Sequence, residues 1–215
     1  MTPLQVITIA RNKLNAISDN FWSDEELYNY LFMKESELAQ LANTIENRYT
    51  ADSVASQIEY TYPTNTISVY RVEYSSVKLS KIDQRQYDSI HSDQSTVVTG
   101  TPLYYYIYDR IIFLHPAPAT AITSAIRMYS YDNPNVHTAS SSFQTPLEYH
   151  NALISGVAME MCPKELGHPN RLYFERIWEG EKQRVERAEQ TRRRGDKFAR
   201  VLREEDLITD QFGIV

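Results

Sequence analysis

The side chains from which a catalytic or metal centre would be built are five histidines (His91, His115, His137, His150 and His168), one cysteine, Cys162, and 28 carboxylates. The histidines stand far apart with no ligand spacing, and one cysteine can form neither an internal disulfide nor a metal cluster. Cys162 closes the apolar helical stretch Gly156-Val-Ala-Met-Glu-Met-Cys162, where a small buried hydrophobe is the expected role. His150 falls on a helix face and is expected to be a packed or surface histidine, not a base. The chain has no glycine-rich phosphate loop, no His-Glu-x-x-His and no Gly-x-Ser-x-Gly. Its carboxylates gather at helix starts and on a charged C-terminal helix, where capping and solvation account for them. Two of them brought together by the fold as a hydrolase pair is the enzymatic reading left open. The expectation is a non-enzyme with no catalytic residue, cofactor or metal.

Contact chemistry is better represented. Sixteen tyrosines are present, against six glycines. Tyr104, Tyr106 and Tyr108 share one expected strand, and Tyr129 and Tyr131 share another. Three readings stand for them: sheet packing, a protein interface using tyrosine's large contact area, and a stacking platform for sugar or single-stranded nucleic acid. Arg192-Arg193-Arg194 is the one basic run, on a helix laced with acids. It reads as a solvated face, as a polar protein–protein contact, or as a contact with DNA phosphates passing nearby. Leu207, Ile208, Phe212, Ile214 and Val215 place apolar groups at the chain's end, where a disordered tail would be poor in them. That tail is expected to be held, on its own bundle or as an extended segment in a partner.

The elements that position these residues fall into three blocks. Residues 1–52 and 145–198 read as helices that form one bundle, 53–132 as an inserted β module, 133–144 as a polar linker and 199–215 as a docking tail. The first helix opens with Thr2 as N-cap, Pro3 and Gln5, and the second with Ser23-Asp-Glu-Glu26 flanked by a Trp22/Leu27 staple. The second helix is expected to run to about Tyr49, along Leu27, Leu31, Leu38, Leu41, Ala42 and Ile45. In the module, residues 67–74, 103–108, 111–114 and 121–131 read as strands, with a tight turn at Asp109-Arg110. Residues 83–92 read as a short helix. Thr145-Pro-Leu-Glu148 is expected to be a capping box for the third helix. The fourth carries Leu172, Tyr173, Ile177, Trp178, Val185 and Ala188, pairs Glu189 with Arg193, and is broken or kinked at Gly195. The fold class expected is α+β: a four-helix bundle made by N- and C-terminal helix pairs, an inserted, mainly antiparallel β module and an extended C-terminal tail.

The totals set bounds on function. A chain of 215 residues, 42% apolar and 23% charged, is that of a globular protein with a real core, and a net charge of −6 argues against sequence-specific DNA recognition. No run approaches the roughly 20 apolar residues of a membrane helix. Met1-Thr-Pro-Leu-Gln lacks the basic and apolar regions of a secretory signal.

Several segments, in order, carry a resemblance. They are Ala10 to Leu31, with its Phe21-Trp-Ser-Asp24 turn, Val69-Tyr-Arg-Val-Glu-Tyr74, Gly100-Thr-Pro-Leu-Tyr-Tyr-Tyr106, Ile111-Ile-Phe-Leu-His-Pro-Ala-Pro118 and Pro146-Leu-Glu-Tyr-His-Asn-Ala-Leu153. Over most of residues 4–190 the chain resembles the head-to-tail adaptor (connector) proteins of tailed bacteriophages. The resemblance implies a helical bundle with a β module and a homo-oligomeric ring of about twelve copies. It also implies the portal protein and further neck or tail proteins as partners, with genomic DNA passing through without specific binding. The place implied is the virion neck, reached from the host cytoplasm during assembly, with no membrane and no cofactor. A glycan- or receptor-binding accessory module using the tyrosine-rich sheet, and a cell-wall hydrolase used at entry, are the rival readings.

Overall fold

The computed structural model describes residues 1–16, 21–90, 97–162 and 170–201, with 194–201 as backbone alone. The chain forms two compact units: residues 1–44 with 134 onward, and residues 45–133. In chain order the helices are α1 (Pro3–Lys13), α2 (Asp24–Ala42), α3 (Gln84–Ile90), α4 (His150–Met161) and α5 (Arg171–Val201). All but α3 belong to the first unit.

Helix α1 starts where its sequence says. The Thr2 hydroxyl accepts from Gln5 N (3.3 Å), and the Gln5 side chain accepts from Thr2 N (2.9 Å). Ser23 caps α2 by accepting from Glu26 N at 3.2 Å, and Trp22 and Leu27 are both buried. The N-terminal and C-terminal helices pack together around Val6, Ile7, Leu31, Leu38, Leu153, Val157, Phe174 and Trp178. Of the fourth helix's expected stripe, Leu172 and Tyr173 are exposed, and Phe174 is buried in their place.

Helix α2 does not reach Tyr49. It ends at Ala42, with Asn43 in the left-handed region as its cap (φ 51°). Residues Glu46–Ser53, expected as helix, form strand β1. The apolar positions that suggested a continued helix also fit period two: Asn47, Tyr49 and Ala51 are half-buried, and Glu46, Arg48, Thr50 and Asp52 are exposed. The capping box at Thr145 is replaced by a 3-10 turn over Leu147–Tyr149, and α4 follows without a side-chain cap. Thr145 is engaged elsewhere, as described below. Gly195 does not stop α5, which continues to Val201. A glycine inside a helix weakens it by about 1 kcal/mol without ending it.

The second unit holds β1 to β10: β2 (Glu59–Thr61), β3 (Thr66–Tyr74), β4 (Val77–Lys78), β5 (Ser80–Lys81), β6 (Thr99–Gly100), β7 (Tyr104–Tyr108), β8 (Ile111–His115), β9 (Ala117–Pro118) and β10 (Ile122–Asp132). Two four-stranded sheets, β1-β10-β3-β4 and β2-β8-β7-β5, are antiparallel except where β5 meets β7; β6 and β9 form a small parallel pair. One core serves both large sheets, with Val72, Ile126 and Met128 from the first and Tyr60, Tyr105, Ile112 and Leu114 from the second.

The expected hairpin is present: Tyr108 pairs with Ile111 across Asp109 and Arg110, both at positive φ (42° and 64°). Ser75 and Ser76 (φ 47° and 68°) make the same kind of turn between β3 and β4. Glycine fits the second position of this turn best, because a Cβ is penalised at positive φ. Ser76→Gly is therefore expected to stabilise the protein by about 0.5–1 kcal/mol in urea unfolding.

Candidate assembly interface

Of the residues singled out for partner contact, Leu207, Ile208, Phe212, Ile214 and Val215 lie outside the described residues, as does the side chain of Arg194. Arg192 pairs with Glu189 at 2.8 Å. Arg193, expected to be the partner of Glu189, instead donates to the carbonyls of Ala42 (2.6 Å) and Asn43 (3.2 Å). It thereby satisfies the C-terminal end of α2, whose last carbonyls have no partner within the helix. The buried Glu189 also accepts from the Tyr149 hydroxyl at 2.9 Å; burial first, and then this bond, push that phenol up. Within the run, Arg193 thus fastens α5 to the end of α2.

The tyrosines divide between two sheets. On β7, Tyr106 is buried, stacked on Phe113 (4.4 Å, 13° between planes) and against Tyr87 of α3 (4.5 Å). Burial first, then nearby Tyr87, Asp88 and Glu59, push its hydroxyl up to about 12. Tyr104 is half-buried and Tyr108 is 60% exposed. On β10, Tyr129 and Tyr131 are half-buried beside Tyr70 of β3, which stacks on Tyr131 at 4.6 Å. Tyr106 is consequently a packing residue, whereas Tyr108, Tyr129, Tyr131 and Tyr70 present surface. Further apolar surface is open on the helical unit at Leu172, Tyr173 and, on α1, Leu4.

A buried polar cluster of the helical unit went unnoticed in the sequence. Glu35 is fully buried on α2, and its carboxylate is shared between His137 Nε2 (2.5 Å) and both the N–H (3.0 Å) and the hydroxyl of Thr145. Burial raises its pKa, but the hydrogen bonds from His137 and Thr145 outweigh burial and hold it below 4.5. His150 donates from Nε2 to Thr145 O (3.0 Å) and lies against Phe143; burial lowers its pKa. From Pro134 on, the stretch expected as a polar linker (133–144) belongs to the helical unit, and His137 within it is bonded to Glu35 of α2. A buried carboxylate, an imidazole and a hydroxyl can shuttle protons, but all three are occupied with one another. A signal was available: Glu35 stands on the Leu27, Leu31, Leu38 stripe, where a charge requires a partner.

The chain matches the sequence model of the SU10 adaptor protein family over residues 1–203. It belongs to the SU10 adaptor protein family. This is a family of phage adaptors, so the protein is a structural adaptor, in keeping with a non-enzyme. No curated protein matches the chain. The family match spans both units and helices α1 to α5 of the adaptor and stops short of Leu207–Val215. No helix among its described residues is long and apolar enough to cross a membrane.

Proposed function

We propose that this adaptor sits between head and tail of a tailed phage. About a dozen copies form a ring below the portal, take further neck or tail proteins, and surround a channel through which genomic DNA passes without being gripped. The observation that carries the reading is membership of the SU10 adaptor protein family over residues 1–203. The exposed Leu172, Tyr173, Leu4 and Tyr108 supply surface that neighbours would cover, and the net charge of −6 suits a conduit that must release DNA. The C-terminal segment, with Arg194 at its approach, reaches the portal or the next ring. Many weak contacts repeated around a ring give firm attachment.

Native mass spectrometry with and without the candidate portal tests the reading: a defined multi-copy complex is expected, and a monomer with no affinity for the portal overturns it. Deletion of Leu207–Val215 is expected to leave a folded, soluble protein that no longer joins the portal. Normal attachment of the shortened chain would remove the tail from the mechanism.

A further inference from the structure

The outer face of the sheet β1-β10-β3-β4 gathers arginines in a chain whose net charge is negative. The strand register sets Arg48 opposite Tyr129 and Tyr129 opposite Arg71, with Tyr131 one step along one way and Arg127 the other. Directly opposed residues share a face, so three arginines and two tyrosines stand together, with Glu46 opposite Tyr131 and Glu73 opposite Arg127. A bulge adds a third tyrosine: between Tyr129 and Ser130 the partner shifts from Arg71 to Val69, leaving Tyr70 as the extra residue. Bulges re-aim side chains, and Tyr70 is 43% exposed. Arg71 and Arg127 both pair with the one carboxylate of Glu73, which is 5% exposed, and their own side chains stay 40% and 38% exposed. Arg48 makes no ion pair among the described residues. Burial, then Glu46, Tyr131 and Tyr129, raise the Tyr70 hydroxyl, which keeps it protonated and able to donate. Tyrosine and arginine are the side chains that anchor protein contacts. Grouped on a flat sheet, they suit an extended segment with several carboxylates.

The chain contains such a segment. Helix α5 ends at Val201, and Arg203-Glu-Glu-Asp206 with Asp210 follow, four carboxylates to one arginine. Residues 202–215, fully extended, reach roughly 46–50 Å.

We propose that Glu204, Glu205 and Asp206 of one copy lie across Arg48, Arg71 and Arg127 of the next. The acidic start of the tail then makes a head-to-tail contact, and Leu207–Val215 stay available to the portal. This inference rests on the reading of the chain as a multi-copy adaptor. A contact between two different patches closes into a ring when the rotation per copy closes. Each exposed pair is weak and screened by salt, so the contact gains strength only by repetition around the ring.

The test uses the full chain carrying E204K, E205K and D206K, whose own tail is thereby disabled, as receptor for a labelled synthetic peptide of residues 202–215. Fluorescence anisotropy at low salt is expected to show saturable binding that weakens at least about tenfold when R48E and R127E are added, with circular dichroism unchanged. Sedimentation velocity of the unsubstituted chain is expected to show concentration-dependent association that E204K, E205K and D206K remove. Mixing that lysine-tailed chain with the R48E, R127E chain is expected to restore it, because the swapped charges again complement. Absence of peptide binding, binding indifferent to R48E and R127E, or equal binding of a scrambled peptide overturns the proposal. Peptide binding by a chain that stays monomeric at every concentration overturns the contact between copies and assigns it to one copy. Failure of the adaptor reading shows separately, as absence from portal complexes in native mass spectrometry.

Discussion

Replacing Glu35 by alanine is expected to cost about 3–5 kcal/mol, since three buried donors lose their acceptor at about 1–3 kcal/mol each. The carboxylate is fully buried, and three donors converge on it from His137 and Thr145. Alanine leaves His137, itself 5% exposed, and the Thr145 N–H facing an apolar void, and each unmet donor carries its desolvation penalty. The loss also frees the stretch between those residues from α2. Glu35→Gln keeps the shape and the acceptor at Thr145 but loses the charge, and is expected to cost about 1–3 kcal/mol. Glu35→Ala combined with His137→Ala is expected to cost less than the sum of the two, since each single change strands the other partner. Urea unfolding of the four proteins measures this; additive costs would mean the pair is not an interacting unit.

The same cluster sets the acid sensitivity. Glu35 is held below its ordinary 4.5, so above 4.5 its full stabilisation is present, and it is lost as pH falls through the depressed folded value. His150 is held below 6.5, by burial first. Below 6.5 the unfolded chain takes up a proton that the folded chain refuses, which also destabilises on acidification. Wild-type stability is therefore expected to decline from pH 7 towards pH 5 through His150 and further below pH 4.5 through Glu35. Glu35→Gln should retain the first decline and lose its share of the second.

How far such features can be read from sequence depends on whether their cause is local. The Thr2 and Ser23 caps and the Asp109-Arg110 turn are satisfied within four residues of their signal, and they appear in the structure where the residues place them. Membership in the phage adaptor family was legible too, from the order of several short segments. The end of α2 was not, because Leu41, Ala42, Ile45 and Tyr49 satisfy a helical period while Asn47, Tyr49 and Ala51 satisfy a strand period. Pairing of β1 with β10, some 80 residues away, decides between them. Thr145 looked like a helix cap because its intended acceptor role was local. Its actual partner is Glu35, a distant residue buried on another helix. Likewise Arg193 stands one turn from Glu189, yet the carbonyls at the end of α2 claim it. Tyr106 and Tyr108 are two residues apart on one strand; only the stacking of Phe113 and Tyr87 on the first makes one core and the other surface.

Trp178 is where the helical unit has most to lose. It is 1% exposed, on α5, with its ring edge on the α-carbon of Gly156 in α4: a Cβ built at Gly156 would stand 3.0 Å from Trp178 Cε3 and Cζ3 and 2.9 Å from Lys34 Cγ. Gly156 is required for this close approach. The ammonium groups of Lys34 and Lys182 lie 5.3 and 5.7 Å from the ring centroid. They are held by Glu160 (2.7 Å), Glu37 (2.8 Å from Lys182) and Glu179 (2.7 Å). The indole thus fills the helix crossing and forms the wall against which two lysine stems and their ion pairs rest. Trp178→Ala is expected to cost about 3–5 kcal/mol, with the higher end favoured because the flanking charges lose their support. Gly156→Ala adds a single methyl but meets a ring that cannot yield, and is expected to cost about 1–3 kcal/mol. In the Trp178→Ala background the same methyl enters the space the indole has left, and Gly156→Ala should then be neutral or stabilising. That reversal separates steric conflict from the helix-propensity gain of alanine, which is favourable in both backgrounds. Thermal or urea unfolding of the four proteins reads it directly; an equal penalty in both backgrounds would show that the methyl is opposed by Lys34 and not by Trp178.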